Sequence, residues 1–283
     1  MTTSNPSTAI YWQFGSRTVD FAAPRVMGIL NVTPDSFFAA SRQQDIDAAL
    51  RKAGQFLDEG ATFIDVGAYS SRPGADDIAP AEELRRLIPV IEALSKHFPE
   101  AILSADTFRA AVAREAVAAG AHLVNDIGGG ILDPAMFDTV AGLKVPYILM
   151  HMRGTPQTMK THTGYNDMLT EMDAFFSAQV EALLEKGVKD VCIDVGFGFA
   201  KTITQNYTLL RSMHRFQEFG LPLLAGLSRK SMAWKPLGIK ADEALNATTV
   251  LHTLALQQGA SILRVHDVRE AVECIRISEL YTG

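Results

Sequence analysis

Eight short apolar runs punctuate this chain, each stopping on residues able to carry polar chemistry, usually with a helical stretch to follow. They read VMGILN to Asn31, FIDVGAYSSR to Ser71 and Arg72, AILSAD to Asp106, and HLVND to Asn125 and Asp126. PYILMH to His151, VCID to Asp194, LLAGLSRK to Arg229 and Lys230, and SILRVH to Arg264 and His266 complete the series. A parallel strand covered by helices on both faces reads as a continuous apolar run. Eight of them alternating with helices predict a closed (β/α)8 TIM barrel, whose catalytic groups gather at the carboxyl ends of the strands. One pattern thus predicts both an architecture and a place to look for chemistry.

The 283 residues suit a single domain spanning 1–283, since ~250 is typical of this α/β class. No Pro/Ser-rich linker or low-complexity tract interrupts the alternation. A formal charge of −6 argues against nucleic acid as a partner, because phosphate backbones call for a basic face. Cys192 and Cys274 lack metal-ligand or redox spacing and read as core thiols. No run of about 18 apolar residues suggests a membrane span. The polar start MTTSNPST is unlike a secretory signal. A cytoplasmic location is expected.

The bottom of the barrel is marked by a recurrent punctuation. DEGATFID, AAGAHLVND, EKGVKDVCID, EFGLPLLAG and QQGASILRV each run from a helix end through a glycine into a strand. Gly60, Gly120, Gly187, Gly220 and Gly259 therefore read as left-handed residues just past helix ends, with Gly142 in AGLKVPYILM assigned the same turn. Ile46, Ala49, Leu50, Ala53 and Leu57 make one apolar helix face, and Leu84, Leu87, Ile88, Ile91 and Leu94 another. Residues 164–186, 203–219, 242–258 and 267–281 read as the later helices. Ahead of the first barrel strand, AIYWQFGSRTVDF alternates around Gly15-Ser16 as a β-hairpin would, over about residues 9–22, and is placed as a cap on the barrel bottom. The loops after strands one and two, NVTPDSFFAASRQQD and AYSSRPGADDIAPAEE, are long and rich in Pro, Ser and Gly, as binding loops often are.

Ser228-Arg229-Lys230-Ser231, Arg264 with His266, and Ser71-Arg72 converge on one end of the barrel and imply an anion site; the loops after strands seven and eight are the usual phosphate site of this fold. Any one of these cations alone could simply be a solvated surface group. Asp106, Asn125 and Asp194 end strands three, four and six and suit a flat, nitrogen-rich heterocycle, since a carboxylate pairs with a guanidine-like N–H edge and an amide both donates and accepts. Asp65 and Asp126 read instead as part of a buried network closing the barrel top. Asn31 could orient a ligand or give one oxygen to Mg²⁺, the cation's other positions being filled by water and phosphate. His151, between two methionines, reads as a core histidine rather than an acid/base.

Met27-Gly28-Ile29-Leu30-Asn31-Val32-Thr33-Pro34-Asp35-Ser36-Phe37, followed by Ser71-Arg72-Pro73-Gly74, resembles the two signature loops of the dihydropteroate synthases. SADTFRAAVAREAVAAGAHLVNDIGG, YILMHMRGTP, DVGFGFAKT, GLSRKSM and RVHDV match that family in the same order, so the resemblance runs from about Arg25 to Val268. It implies the condensation of 6-hydroxymethyl-7,8-dihydropterin pyrophosphate with p-aminobenzoate, Mg²⁺ as cofactor and a homodimer. By resemblance, Asp106, Asn125, Ile127, Met150, Asp194, Gly226 and Lys230 hold the pterin, while Asn31, Arg264 and His266 hold the pyrophosphate, with Asn31 on the metal. Phe37, Ser71, Arg72, Pro73, Phe199 and Ser231 take the p-aminobenzoate, and Asp35 joins Asp106, Lys230 and Arg264 as catalytic. Ala68-Tyr69, Ser70-Ser71, Val195 and Ala200 depart from the commoner family pattern, which bears on the shape of the arylamine pocket. A pterin-dependent methyltransferase and a non-catalytic pterin-binding paralogue are the alternatives, but neither needs the pyrophosphate cluster together with both loops.

Overall fold

The structure, a computed structural model, describes residues 10–32, 42–70 and 77–283. It begins with an antiparallel hairpin, β1 (Tyr11–Phe14) and β2 (Arg17–Asp20), turning at Gly15. Eight parallel strands follow: β3 (Arg25–Asn31), β4 (Phe63–Gly67), β5 (Ile102–Asp106), β6 (Leu123–Asp126), β7 (Tyr147–Met150), β8 (Val191–Asp194), β9 (Leu223–Ala225) and β10 (Ile262–Val265). They pair in sequence order, and β10 closes the barrel on β3 with Ile262 opposite Arg25. The helices are α1 (Arg42–Asp58), α2 (Pro80–His97), α3 (Ala110–Ala118), α4 (Met136–Leu143), α5 (Met168–Glu185), α6 (Ile203–Arg211), α7 (Ser231–Trp234), α8 (Leu245–Gln257) and α9 (Val268–Thr282).

Each barrel strand coincides with an apolar run singled out in the sequence, β3 alone starting one residue earlier, at Arg25. The runs overshoot in two places: β4 stops at Gly67 and β9 at Ala225, so Arg229 and Lys230 belong to the loop beyond β9, while Ser71 and Arg72 lie outside the described residues. Helix expectations were also too long at some ends. The stretch 164–186 becomes helical only at Met168, where the Asp167 side chain accepts the Thr170 N–H. The stretch 203–219 opens on a Thr202/Gln205 capping box, then tightens after Arg211 into a 3₁₀ run, Met213–Phe219.

Gly60, Gly120, Gly187, Gly220 and Gly259 all have positive φ, as the helix-to-strand turns demand. Gly142 does not: it lies inside α4, and Lys144 at φ 56° makes that left-handed turn instead. The turn is thus displaced two residues, to a position where a Cβ is ordinarily disfavoured.

The barrel interior follows from strand alternation. Trp12, Phe14 and Val19 of the hairpin pack into one buried cluster with Met27, Phe63, Ile102, Leu123, Ile148, Cys192, Leu224 and Ile262, one residue from each barrel strand. The hairpin therefore plugs the amino-terminal end of the barrel, and these eight residues identify the inward-facing parity. One step of two along each strand reaches Ile29, Asp65, Ser104, Asn125, Met150, Asp194, Gly226 and Arg264. A second step reaches Asn31, Gly67, Asp106, Ile127, Met152, Gly196, Ser228 and His266. An apolar floor thus gives way, two residues higher, to a polar mouth.

Candidate active site

Arg264 is the hub of that mouth. Its Nε donates to Asp65 Oδ2 at 2.6 Å and its Nη2 to Asp106 Oδ2 at 2.6 Å. Asn125 Nδ2 donates to the same Asp65 oxygen at 2.9 Å. One guanidinium thereby spans two carboxylates from adjacent strands, and Asp65, fully buried, also fixes the neighbouring amide. Burial opposes the charge of Arg264, but Asp65 and Asp106 outweigh it and hold the group protonated above its usual range. Burial pushes the Asp106 carboxyl up against the pull of Arg264, helped by the nearby charge of Asp65. Gly67 leaves room for Asp106, because a Cβ there would meet its Oδ2 at 3.2 Å.

Across the mouth, Asp194 Oδ1 accepts the Gly196 N–H at 2.7 Å. Burial raises its carboxyl even though Lys230 pulls the other way. Lys230 precedes the first turn of α7, donates to the Phe197 carbonyl and stands 4.5 Å over the Phe199 ring. Burial lowers its ammonium to about 8, with Asp194 resisting. Gly198 at φ +81° makes this approach possible: a Cβ would lie 3.0 Å from Lys230 Cδ. Ile127, Met150, Met152, Met159, Phe199 and Ala200 form a buried apolar cluster, against which Phe108 and Leu132 pack. Together these groups present polar hydrogen-bonding edges above and beside an apolar face, which matches a flat heteroaromatic ring.

His266 and Ser228 stand on neighbouring strand ends. The Ser228 hydroxyl accepts the His266 backbone N–H at 3.2 Å and lies 3.0 Å from His266 Nδ1, which fixes the ring orientation. Asn31 ends β3, half-buried, and Ser231 opens α7. Arg229, grouped by sequence with the anion-binding cations, is turned away. Its backbone is left-handed at φ 55°, and its guanidinium forks onto Asp267 at 3.0 and 2.6 Å. Asp35, Phe37, Ser71, Arg72 and Pro73 lie outside the described residues. Among the described residues, no cluster of three or more His, Cys, Asp or Glu side chains could hold a metal ion.

Asp126 is structural, as expected: its oxygens take the Tyr147 hydroxyl at 2.5 Å and the Gly128 and Gly130 N–H groups at 2.6 and 2.8 Å. Asp65 is likewise part of a buried polar network at the barrel top, and its partners there are Arg264 and Asn125 of the mouth. The signal was available in the alternation, since Asp65 stands two residues above Phe63 of the apolar floor. His151 is buried and neutral: burial, then the adjacent Lys201 charge, holds its imidazole down to about 2. Lys201, within DVGFGFAKT, is given no role by the sequence.

Residues 27–266 match a family described as pterin binding enzyme. The dihydropteroate synthase of Escherichia coli K12 is 41% identical over 264 residues, 93% of either chain. That of Synechocystis is 43% identical over 257 residues, 90% of this chain and 89% of the relative. Among solved structures, a Yersinia pestis dihydropteroate synthase in a sulfonamide drug complex superposes with a TM-score of 0.90 at 40% identity, covering 96% of this chain and 99% of the other. A Xanthomonas albilineans dihydropteroate synthase with 4-aminobenzoic acid gives 0.90 at 38% identity, with 98% and 99% covered. The chain is thus a member of the pterin-binding enzymes. Within that class, the chain belongs to the dihydropteroate synthase family.

Proposed function

We propose that this enzyme joins 6-hydroxymethyl-7,8-dihydropterin pyrophosphate to p-aminobenzoate, forming 7,8-dihydropteroate and pyrophosphate for folate biosynthesis. The observation that carries the reading is the single mouth in which Arg264 bridges Asp65 and Asp106 while Asp194 and Lys230 flank an apolar cluster. Asp194 and Asn125 take the guanidine-like edge of the pterin, Lys230 its carbonyl, and Asp106 the ring nitrogens nearer the reacting methylene. Ile127, Met150 and Gly226 line the ring's faces. Arg264, His266 and Asn31 take the pyrophosphate, and Phe199 and Ser231 line the arylamine pocket with Phe37, Ser71, Arg72 and Pro73.

The chemistry needs no covalent nucleophile. The methylene C–O bond breaks, its electron pair leaves with pyrophosphate, and cationic groups stabilise that charge as it develops. The methylene cation is stabilised by the pterin and by the Asp106 carboxylate. The arylamine nitrogen then forms the new C–N bond and releases a proton, in a geometry fixed by the two pockets. Asn31 offers one neutral oxygen, which fits a Mg²⁺ that keeps most of its shell from water and substrate phosphate. When bound, the ion neutralises leaving-group charge.

Mixing the protein with dihydropterin pyrophosphate, Mg²⁺ and p-aminobenzoate should yield dihydropteroate by mass, with one pyrophosphate released per product. Absence of product where the E. coli enzyme turns over would overturn the reading. No helix among the described residues is long and apolar enough to cross a membrane, and a cytoplasmic location accords with the substrates.

A homodimer is part of the same proposal. Val250 and Leu254 on α8 are 53% and 41% exposed, and Ile277, Leu280 and Tyr281 on α9 are 65%, 81% and 79% exposed, on two helices that pack together. Such a patch marks an interface, and a two-fold axis would let it cover itself. Leu254→Glu with Ile277→Glu should convert a dimer to a folded monomer in light scattering. An unchanged mass would place the interface elsewhere.

A further inference from the structure

His151, just past the end of β7, and the buried Lys201 have no part in the chemistry above, yet they meet directly. Lys201 Nζ lies 3.1 Å from His151 Nδ1, 3.0 Å from the Gly196 carbonyl and 3.2 Å from the Phe199 carbonyl, with the His151 carbonyl at 3.5 Å. An ammonium has three N–H donors and no acceptor, so three close partners saturate it. Burial lowers the Lys201 ammonium to about 7 against the pull of Asp194; with Lys201 protonated, His151 Nδ1 accepts, which leaves the ring proton on Nε2. The ring is held there by an edge contact to Phe175 at 5.0 Å.

The segment gathered by Lys201 needs holding. Gly196, Gly198 and Ala200 all have positive φ, at 69°, 81° and 49°, so three of five consecutive residues are left-handed. Ala200 carries a Cβ where such a backbone is costly. Gly196 passes so close to the end of β7 that a Cβ would meet the His151 carbonyl at 2.1 Å. Phe199 sits at the crest of this segment, its ring under Lys230. Two carbonyls pointing at one buried cation supply what this chain conformation does not supply by itself.

We infer that Lys201, seated on His151, is a positioning residue that fixes the Phe199 wall and so sets the affinity for the arylamine rather than for the pterin. The inference rests on the reading of Phe199 as part of the p-aminobenzoate pocket. Lys201 makes no hydrogen bond to Asp194, which it reaches only by charge; its direct contacts are His151 and the carbonyls of Gly196 and Phe199, so it acts through the backbone of residues 196–200.

Lys201→Met keeps the length and bulk of the side chain and removes its donors. It should raise the KM for p-aminobenzoate by about tenfold or more, the loss of charge-assisted hydrogen bonds setting the scale, while the KM for dihydropterin pyrophosphate stays within about twofold. Independently of turnover, amide exchange in a peptide spanning residues 196–200 should accelerate, with the barrel strands keeping their protection. Lys201→Gln, which retains two donors, should recover part of both effects. Equal shifts in the two KM values, or unchanged exchange at 196–200, would overturn the inference. If Lys201→Met does not fold, Lys201→Gln decides, and loss of calorimetric pterin binding there would make Lys201 general scaffold. A wild-type protein that makes no dihydropteroate would instead refute the proposed function, with the exchange measurement still reporting on Lys201.

Discussion

Arg264→Ala is expected to lower kcat/KM by about a thousandfold, the scale on which one group aimed at developing charge matters. It should also destabilise the fold by about 3–5 kcal/mol, because removing one partner of a buried ion pair leaves the other uncompensated. Here two carboxylates are left, Asp65 and Asp106, both previously bonded to the same guanidinium. Arg264→Lys, which keeps a charge but cannot fork onto both, should recover much of the stability and little of the turnover. The two roles separate by ligand: pyrophosphate-dependent turnover should fall far more than binding of a pterin lacking phosphate. Equal losses would make Arg264 a structural residue.

The stability deficit of Arg264→Ala should depend on pH with a definite sign. The folded-state pKa of Asp106 is already raised by burial, and Arg264 is the chief group lowering it. Without Arg264 it rises further, so the folded state holds its proton more tightly than the unfolded chain does. Stability is then gained as pH falls. The gap to wild type in urea titrations should narrow from pH 8 towards pH 5. A gap that widens on acidification would contradict this account of the hub.

Much of this was legible in the sequence because a barrel repeats its logic. The apolar runs mark the strands, and their ends gather the polar groups of the mouth, as Asp106, Asn125, Asp194 and Arg264 do. The sequence is silent where one position serves two purposes and misleads where the backbone leaves its regular course. Asp65 looks like part of a strand and is buried like one, yet it is what orients both Arg264 and Asn125. Arg229 stands among cations in the sequence, but a left-handed backbone sends it to Asp267. Lys144 makes a turn that Gly142 was expected to make. Lys201 carries no periodic signal, since its partners are carbonyls, which every residue possesses. Pairwise side-chain chemistry of that kind becomes visible only when distant segments meet.

Asp194→Asn should abolish useful pterin binding while leaving the protein as stable as before, or more so. The carboxylate is buried and its pKa is raised, while the ammonium facing it, Lys230, is lowered to about 8. Both members of the pair drift towards their neutral forms, so their charges cost folding free energy rather than supply it. Asparagine keeps the Oδ1 that accepts the Gly196 N–H and gives up the charge. It also turns an NH₂ towards the donor edge of the pterin. Charge-assisted hydrogen bonds contribute about 1.5–3 kcal/mol each, so losing a pair should weaken binding at least about a hundredfold. The sign of the pH effect follows from the same burial: with its folded pKa raised, wild-type Asp194 gains stability as pH falls, and Asp194→Asn should lose that component. A melting temperature that holds while calorimetric pterin binding collapses would show that the carboxylate serves the ligand at the expense of the fold, as preorganised sites tend to do. A melting temperature that falls together with binding would show instead that the Asp194–Lys230 pair supports the barrel.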